Sequence, residues 1–363
     1  MKRKFVIGIM ILILVSGATG IWLFMNSSLF MMHGERVITD GLGRSVGVPL
    51  EPQRIVGVNP GALRLLCYLD LTDKVVGVEM VEVTSPVRPY NFANPGLSNL
   101  TQIGPMFGGE PELIVKADPD VIFATYMEKS FADTLQRQTG IPVVVVNYGD
   151  LETNRATFDE SLRIIANVMN VQDRAEELIT YIDSIIGDLN NRTYNIPNAS
   201  RPTVYIGGIG YHGAHGLSST EPSYPPFEFI HANNVASGLG TEHAFVDDET
   251  VINWNPYYLF IDGGGLNLAI QDIQNGSALW DTLDAVKENR TYVVLPYNWY
   301  TTNIETELID AYYIGTILYP GNFSDINFTQ KAAEIYIEFL GCNVYQDMVN
   351  EYGGCYQLDT SSL

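Results

Sequence analysis

Three cysteines in 363 residues leave little sulfur chemistry. None stands in a Cys-x-x-Cys or other zinc-type spacing, which excludes a structural zinc site or a dithiol redox centre. Cys342 and Cys355 lie 13 residues apart near the C-terminus. We expect them to form a bridge, contributing roughly 3 kcal/mol on the chain-entropy model. Cys67, inside the apolar run Leu63 to Leu69, reads as a buried thiol. Basic residues are scarce: 20 Lys and Arg against 42 Asp and Glu, a formal charge of −22. That balance argues against nucleic acid or an anionic membrane surface as partner. It permits a neutral or cationic ligand, or a partner with basic docking patches; a solvated acidic surface is the plainer alternative. There is no Walker A sequence, so any ATP hydrolysis belongs to a partner.

The longest run without charge is at the start, where Lys2, Arg3 and Lys4 precede 21 uncharged residues from Phe5 to Met25. The run is long enough to span a bilayer, and the basic residues place the rest of the chain outside the cytoplasm. Ser16-Gly17-Ala18 also resembles a signal-peptidase site. Residues 1–35 are therefore an anchor or a signal peptide, with the uncleaved anchor slightly favoured. No cysteine directly follows the run, so a bacterial-type lipid anchor is not expected. Eight Asn-x-Ser/Thr sequons occur, at Asn26, Asn99, Asn191, Asn198, Asn275, Asn289, Asn322 and Asn327. An Asn-rich chain produces several by accident, so they add modest support for an exported, glycosylated surface protein.

The remaining residues are organised around one helix, expected from Val171 to Asn191. Ala175, Leu178, Ile179, Ile182, Ile185, Ile186 and Leu189 recur at steps of three and four and form one apolar face. Thr157 and Glu160 read as a capping box opening the helix before it, and Asn170 as that helix's left-handed end. On either side the sequence repeats itself. Glu112 precedes Asp118-Pro119 by six residues, and a strand-like run to Phe123 comes next. Glu249 precedes Asn255-Pro256 by six residues, and a similar run to Phe260 comes next. Short apolar strands open both halves, Ile55 to Val58 and Val204 to Ile206. Others close them, Val143 to Asn147 and Tyr292 to Leu295. Strands alternating with helices imply mainly parallel sheets. The expected organisation is an N-terminal α/β lobe at 36–152, linker helices at 153–192, and a C-terminal lobe with closing helices at 193–363.

Segments Arg36 to Arg44, Pro52 to Pro60 and Lys116 to Ile122, together with the Glu176-Glu177-Leu178 linker helix, resemble the substrate-binding proteins of ABC importers for iron(III) chelates and cobalamin. The resemblance covers about residues 36–350. It implies two Rossmann-like lobes joined by a single long helix (class III), and an extracytoplasmic receptor rather than an enzyme. It also implies an iron(III)-chelate or corrinoid ligand, and a permease with its ATPase as partners. The glutamates that dock on permease arginines in that family match Glu112 and Glu249. A glutamate stabilised at a helix start is the alternative.

Ligands of open α/β sheets sit at strand carboxyl ends, which nominates specific residues. In the first half these are Asn59, Arg88, Tyr90 and Tyr126, with Arg88 suited to forking a ligand carboxylate and an exposed structural arginine as the alternative. In the second half they are Tyr297, Trp299 and Tyr300, whose rings suit a flat or bulky ligand, with a core role for some of them as the alternative in a chain of 21 tyrosines. Gly208 to Gly213 matches GxGxxG, but the Gly-, Ser- and Pro-rich residues after it cannot open a helix, so a cleft-lining loop is expected. That loop carries Tyr211, His212 and His215. They could coordinate a metal directly or touch one already chelated, and plain loop structure is the third option. His231 and His243 read as surface or core residues. No resident cofactor and no nucleic acid are expected. The rival function is an extracytoplasmic chelatase using His212 or His215 as base; an orphan surface sensor is a third.

Overall fold

The computed structural model describes residues 34–360. The apolar N-terminal run, its candidate cleavage site and Asn26 lie outside the described residues. Within them no helix is long and apolar enough to cross a membrane.

The first described element is a hairpin, β1 (Glu35–Thr39) and β2 (Ser45–Pro49), paired antiparallel. Its turn is set by Asp40, whose carboxylate accepts from the backbone N–H of Leu42 and Arg44 and pairs with the Arg44 guanidinium at 2.7 Å. Arg44 reaches on to Asp133 and the Val143 carbonyl, which pins the hairpin to the lobe behind it.

That lobe contains β3 (Ile55–Val58), α1 (Ala62–Tyr68), β4 (Val75–Val78), α2 (Met80–Thr84), α3 (Pro89–Ala93), β5 (Thr101–Gln102), α4 (Pro111–Ala117), β6 (Val121–Ala124), α5 (Lys129–Thr139) and β7 (Val143–Val145). The strands lie in the order β5-β4-β3-β6-β7, all parallel. β3 and β6 are buried along their whole length, as strands without polar residues in a sheet covered on both faces should be. The Pro- and Asn-rich stretch from Pro86 to Thr101 folds into α3 and a 3₁₀ turn at Pro95–Asn99 before reaching β5.

Two linker helices come next, α6 (Arg155–Met169) and α7 (Gln172–Thr193). α7 buries Ala175, Leu178, Ile179, Ile182, Ile185 and Leu189, the face read from the sequence. At 1.5 Å per residue its 22 residues reach about 33 Å. Asn170 takes the left-handed conformation between the two helices. The capping box at Thr157 is not formed. α6 starts two residues earlier, because the Asp150 carboxylate ties down the Asn154 backbone and side chain.

The second lobe contains β8 (Thr203–Gly207), β9 (Ser219–Thr220), α8 (Pro225–Phe229), β10 (Asn233–Asn234), β11 (Ala244–Phe245), α9 (Asp248–Trp254), β12 (Tyr258–Asp262), α10 (Leu266–Gln274), α11 (Ala278–Thr282), α12 (Asp284–Lys287) and β13 (Thr291–Val294). It continues with α13 (Ile304–Leu318), α14 (Phe328–Leu340), α15 (Tyr345–Tyr352) and β14 (Tyr356–Gln357). Its main sheet runs β10-β8-β12-β13-β14, parallel except for β14. Strands β4-β3-β6-β7 therefore correspond to β10-β8-β12-β13, and each sheet adds one strand of its own at opposite ends. The sequence repeat is this correspondence. Glu112 and Glu249 are the second residues of α4 and α9, and Asp118 and Asn255 end those helices at φ 54° and 40°.

The covalent crossing between lobes is the α6–α7 linker alone, but it is not the only tie. One continuous apolar core runs from Ile38 through α1 and α7 to Ile335, Phe339 and Met348 of the closing helices. Arg174 joins the start of α7 to the Tyr68 carbonyl and Asp70 on one side and to Glu338 on the other. The Tyr68 hydroxyl donates to Glu305 across the lobes.

Cys67, Cys342 and Cys355 are all free, so the expected Cys342–Cys355 bridge is not formed. Cys342 is exposed just past the Gly341 cap of α14, whereas the Cys355 thiol points into the core, 3.8 Å from Asp310 Oδ1. Thiol titration of the denatured protein should count three free thiols; a count of one would restore the bridge.

Candidate ligand cleft between the lobes

In a parallel sheet every strand presents its carboxyl end on one side, and the loops there carry function. In this fold those two sides face each other. The 296–303 loop after β13 reaches residues placed by four N-terminal strands. Arg64, on the helix after β3, donates to the carbonyls of Thr302 at 2.6 Å and Trp299 at 2.9 Å and to Asn303 Oδ1 at 2.7 Å. Glu79, after β4, accepts from the Tyr300 hydroxyl at 2.6 Å. Tyr126, after β6, meets Thr301 Oγ1 at 2.8 Å. Tyr148, after β7, donates to the Thr302 carbonyl at 2.7 Å.

Backbone strain gathers in the same place. Among the described residues thirteen non-glycine positions have positive φ; six line this junction, Asn59, Phe107, Tyr126, Tyr148, Tyr300 and Thr301, and His212 lies on the shelf beside it. A β-branched residue at φ 67°, as Thr301 is, costs energy that only surrounding contacts hold in place. Gly61 has no room for a side chain. A Cβ there would lie 2.2 Å from the Tyr148 ring and 2.7 Å from Thr301.

Beside the junction the second lobe carries a shelf of rings. Tyr211 stacks on His243 at 4.1 Å with an interplanar angle of 2°, and its ring lies 4.5 Å from that of His212. Phe245 meets His243 at 4.8 Å and His215 at 4.9 Å, both edge-on. Three of the chain's five histidines are thus collected. The β9–β11 ribbon brings His243 in, where Ser219 Oγ holds its Nε2 at 2.7 Å. Sequence spacing could not find it, because 28 residues separate it from His215. Burial, with His215 and His212 as added like charges, holds the His243 imidazole below its ordinary pKa. His243 is thus biased toward the neutral imidazole, the form that can bond a metal through nitrogen. Tyr211 and Phe245 remain 43% and 56% exposed, as do Tyr126 at 59% and Phe107 at 61% on the first lobe. The shelf joins the junction through Asn298, which donates to the Gly210 carbonyl at 3.0 Å.

Other nominated residues are engaged internally. Arg88 and Tyr90 are buried around Glu82: Arg88 Nη2 and the Tyr90 hydroxyl both donate to its carboxylate, at 2.8 and 2.9 Å. The Arg88 guanidinium lies 4.8 Å above the Trp299 ring across the lobes. Tyr297 is buried against Tyr224, 5.3 Å between rings. Asn59 is half-buried and uses its amide to hold the Thr125 carbonyl. Tyr300 is buried in its bond to Glu79. Tyr211, His212, His215 and Tyr126 keep surface free. His231 bonds Thr193 at the far end of α7, away from the shelf.

Among the described residues no group of three or more His, Cys, Asp or Glu is placed to hold a metal ion. Two facing α/β lobes and a ring-lined shelf form a cleft that could hold a solute. The chain belongs to the periplasmic binding protein family, whose model matches residues 55–297. It is an extracytoplasmic substrate-binding protein of an ABC importer. The molybdate-binding protein MolA of Haemophilus influenzae is 22% identical over 335 residues, 87% of this chain and 93% of that protein. The structure of MolA bound to molybdate superposes with a TM-score of 0.68 at 21% identity, covering 85% of this chain and 98% of that one. A periplasmic solute binding protein from Veillonella parvula gives 0.70 at 20% identity over 88% and 97%. Helicobacter pylori CeuE with nickel(II) bound gives 0.63 at 14% identity over 88% and 100%.

Proposed function

We propose that this receptor captures a metal chelate, an iron(III)–siderophore type complex or a corrinoid, on the ring shelf between its lobes and delivers it to a permease. The carrying observation is the composition of the shelf. It offers three imidazoles and exposed aromatic faces but no converging carboxylates. A bare iron(III) ion needs several hard oxygen ligands. A chelate brings its own, leaving flat apolar surface for stacking and at most an open coordination position for a nitrogen. The relatives with molybdate and nickel bound support a metal-bearing solute. A free oxyanion is less well served, since Arg64 and Arg88 are buried in internal bonds.

Calorimetric titration with an iron(III) hydroxamate, an iron(III) catecholate, haem, cobalamin, nickel(II)–histidine and molybdate tests this. Tyr211→Ala, Tyr126→Ala and His243→Ala should each weaken chelate binding by several-fold to tens-fold, about 1–2 kcal/mol. Tight molybdate binding with no response to any chelate would replace this reading with an oxyanion receptor.

Docking falls to Glu112 and Glu249, both exposed at matching helix starts. Reversing both to Lys should abolish uptake in cells that carry the permease while leaving ligand affinity unchanged. Loss of ligand affinity in the folded double variant would assign them to the cleft instead.

A further inference from the structure

We propose that the protein is N-glycosylated on an outer face that excludes both the ligand cleft and the two docking helices. The chain holds 26 asparagines, and 42 of its 363 residues are Ser or Thr. Random placement would give about three sequons, against the eight present. Enrichment alone does not make a site, but the fold adds two independent observations.

The first is accessibility. Seven of the eight sequon asparagines are described, and all seven are exposed. Each sits at an element end or turn, where an extended donor can reach the side chain. Asn99 closes the 3₁₀ turn at Pro95–Asn99 and Asn198 opens another. Asn191 is in the last turn of α7, Asn275 ends α10 and Asn289 comes just after α12. Asn322 lies between α13 and α14, its Nδ2 donating to the Arg192 carbonyl, and Asn327 caps α14, where its Oδ1 accepts from the Gln330 backbone N–H.

The second is segregation. The cleft loops and the docking helices with their caps hold Asn59, Asn253, Asn255, Asn298 and Asn303, and none of these is followed by the sequon hydroxyl residue. A glycan of even a few sugars is larger than a side chain. On the cleft rim or beside Glu112 or Glu249 it would block entry or docking; elsewhere it adds only hydrated surface.

The chemistry requires a lipid-phosphate-linked oligosaccharide and the membrane transferase of the exporting cell. Asn Nδ2 attacks the anomeric carbon, forming a C–N bond as the C–O bond to phosphate breaks. The lipid phosphate leaves with the electron pair, and the amide proton passes to the transferase's base.

The test is intact-mass and glycopeptide spectrometry of the full protein exported by its native host, beside the same chain made in a host without the transferase. Sugar on at least four of the seven asparagines supports the proposal, and fewer overturns it. Enzymatic deglycosylation should leave the affinity for the best chelate of the calorimetric panel within two-fold; a change of tens-fold would overturn the segregation. If no chelate in the panel binds, the glycan sites are still read from the masses.

Discussion

Arg64→Ala should be the most damaging single substitution outside the apolar core, lowering stability by about 3–5 kcal/mol. The side chain is fully buried and spends its guanidinium on Tyr148, Trp299, Thr302 and Asn303. Removal orphans backbone carbonyls that cannot rotate to water, opens a cavity, and releases the 296–303 loop whose strained residues it helps hold. The loss corresponds to about 4–7 °C in the melting temperature of a chain of 363 residues. Arg64→Lys should recover little, since an ammonium cannot match acceptors set around a planar fork. Asn303→Ala keeps the arginine and should cost only about 1 kcal/mol. Thermal unfolding of the three variants checks this. A melting point for Arg64→Ala within 2 °C of the parent would mean that the lobes are held together elsewhere.

Stability should fall as pH rises from 5 to 8.5, which is unusual for an acidic protein far from its carboxylate range. Burial pushes Asp262 up to about 7 and Glu221 up to about 8, and it also raises Glu79, Glu305, Glu307 and Asp310. Glu307 is the extreme case. Neither of its carboxylate oxygens has a partner among the described residues. The charged groups that face it, Asp150, Glu305, Glu221 and Glu152, are all acidic. In the unfolded chain these groups titrate near pH 4. Between about pH 4 and 8 the folded protein therefore binds more protons than the unfolded one, and its stability declines with rising pH. A group raised by three pH units accounts for about 4 kcal/mol on its own; neighbouring groups titrate together, so the total is less than additive. The acids held low, such as Asp325 at about 2 beside Arg192, act in the opposite sense only at lower pH. Melting temperature should drop by roughly 10 °C from pH 5 to 8.5. Glu307→Gln should remove part of that drop by gaining stability at pH 8.5 and changing little at pH 5. A flat or rising profile would show that these carboxyls are solvated after all.

The two-lobe architecture was legible because it rests on local signals. The apolar stripe of α7 is a period, and the Glu-to-Pro spacing around residues 112–119 and 249–256 is a helix, its left-handed cap and the start of a strand. The site was legible only in part. The rule that ligands sit at strand carboxyl ends nominated Tyr211, His212, His215 and Tyr126, which the fold leaves with accessible surface at the junction and shelf. It could not tell a ring that faces the cleft from one that supports it, so Tyr90 and Tyr297 looked like equals of Tyr211. Arg88 suggested a ligand fork because its real partner, Glu82, lies in a stretch that gave no helix signal. His243 and Arg64 were missed for the complementary reason. Their roles depend on an antiparallel ribbon and on lobe-to-lobe contact, and neither leaves a spacing in the sequence. The disulfide failed because a gap of 13 residues says nothing about which way two side chains point.

The matched strands and helices make the lobes approximate copies of each other, with Glu112 and Glu249 at equivalent positions, and in the proposed docking these two are mates about an approximate two-fold. A permease built from two identical subunits would present its own arginines about a true two-fold. Such a pair can receive this protein in either of two poses related by a half-turn, with both glutamates seated in each. What differs between the poses is everything without a mate: the β1–β2 hairpin, β5, and the block from α13 to β14. Delivery is then degenerate at the level of docking, and any preference for one pose must come from those unpaired elements rather than from the glutamates.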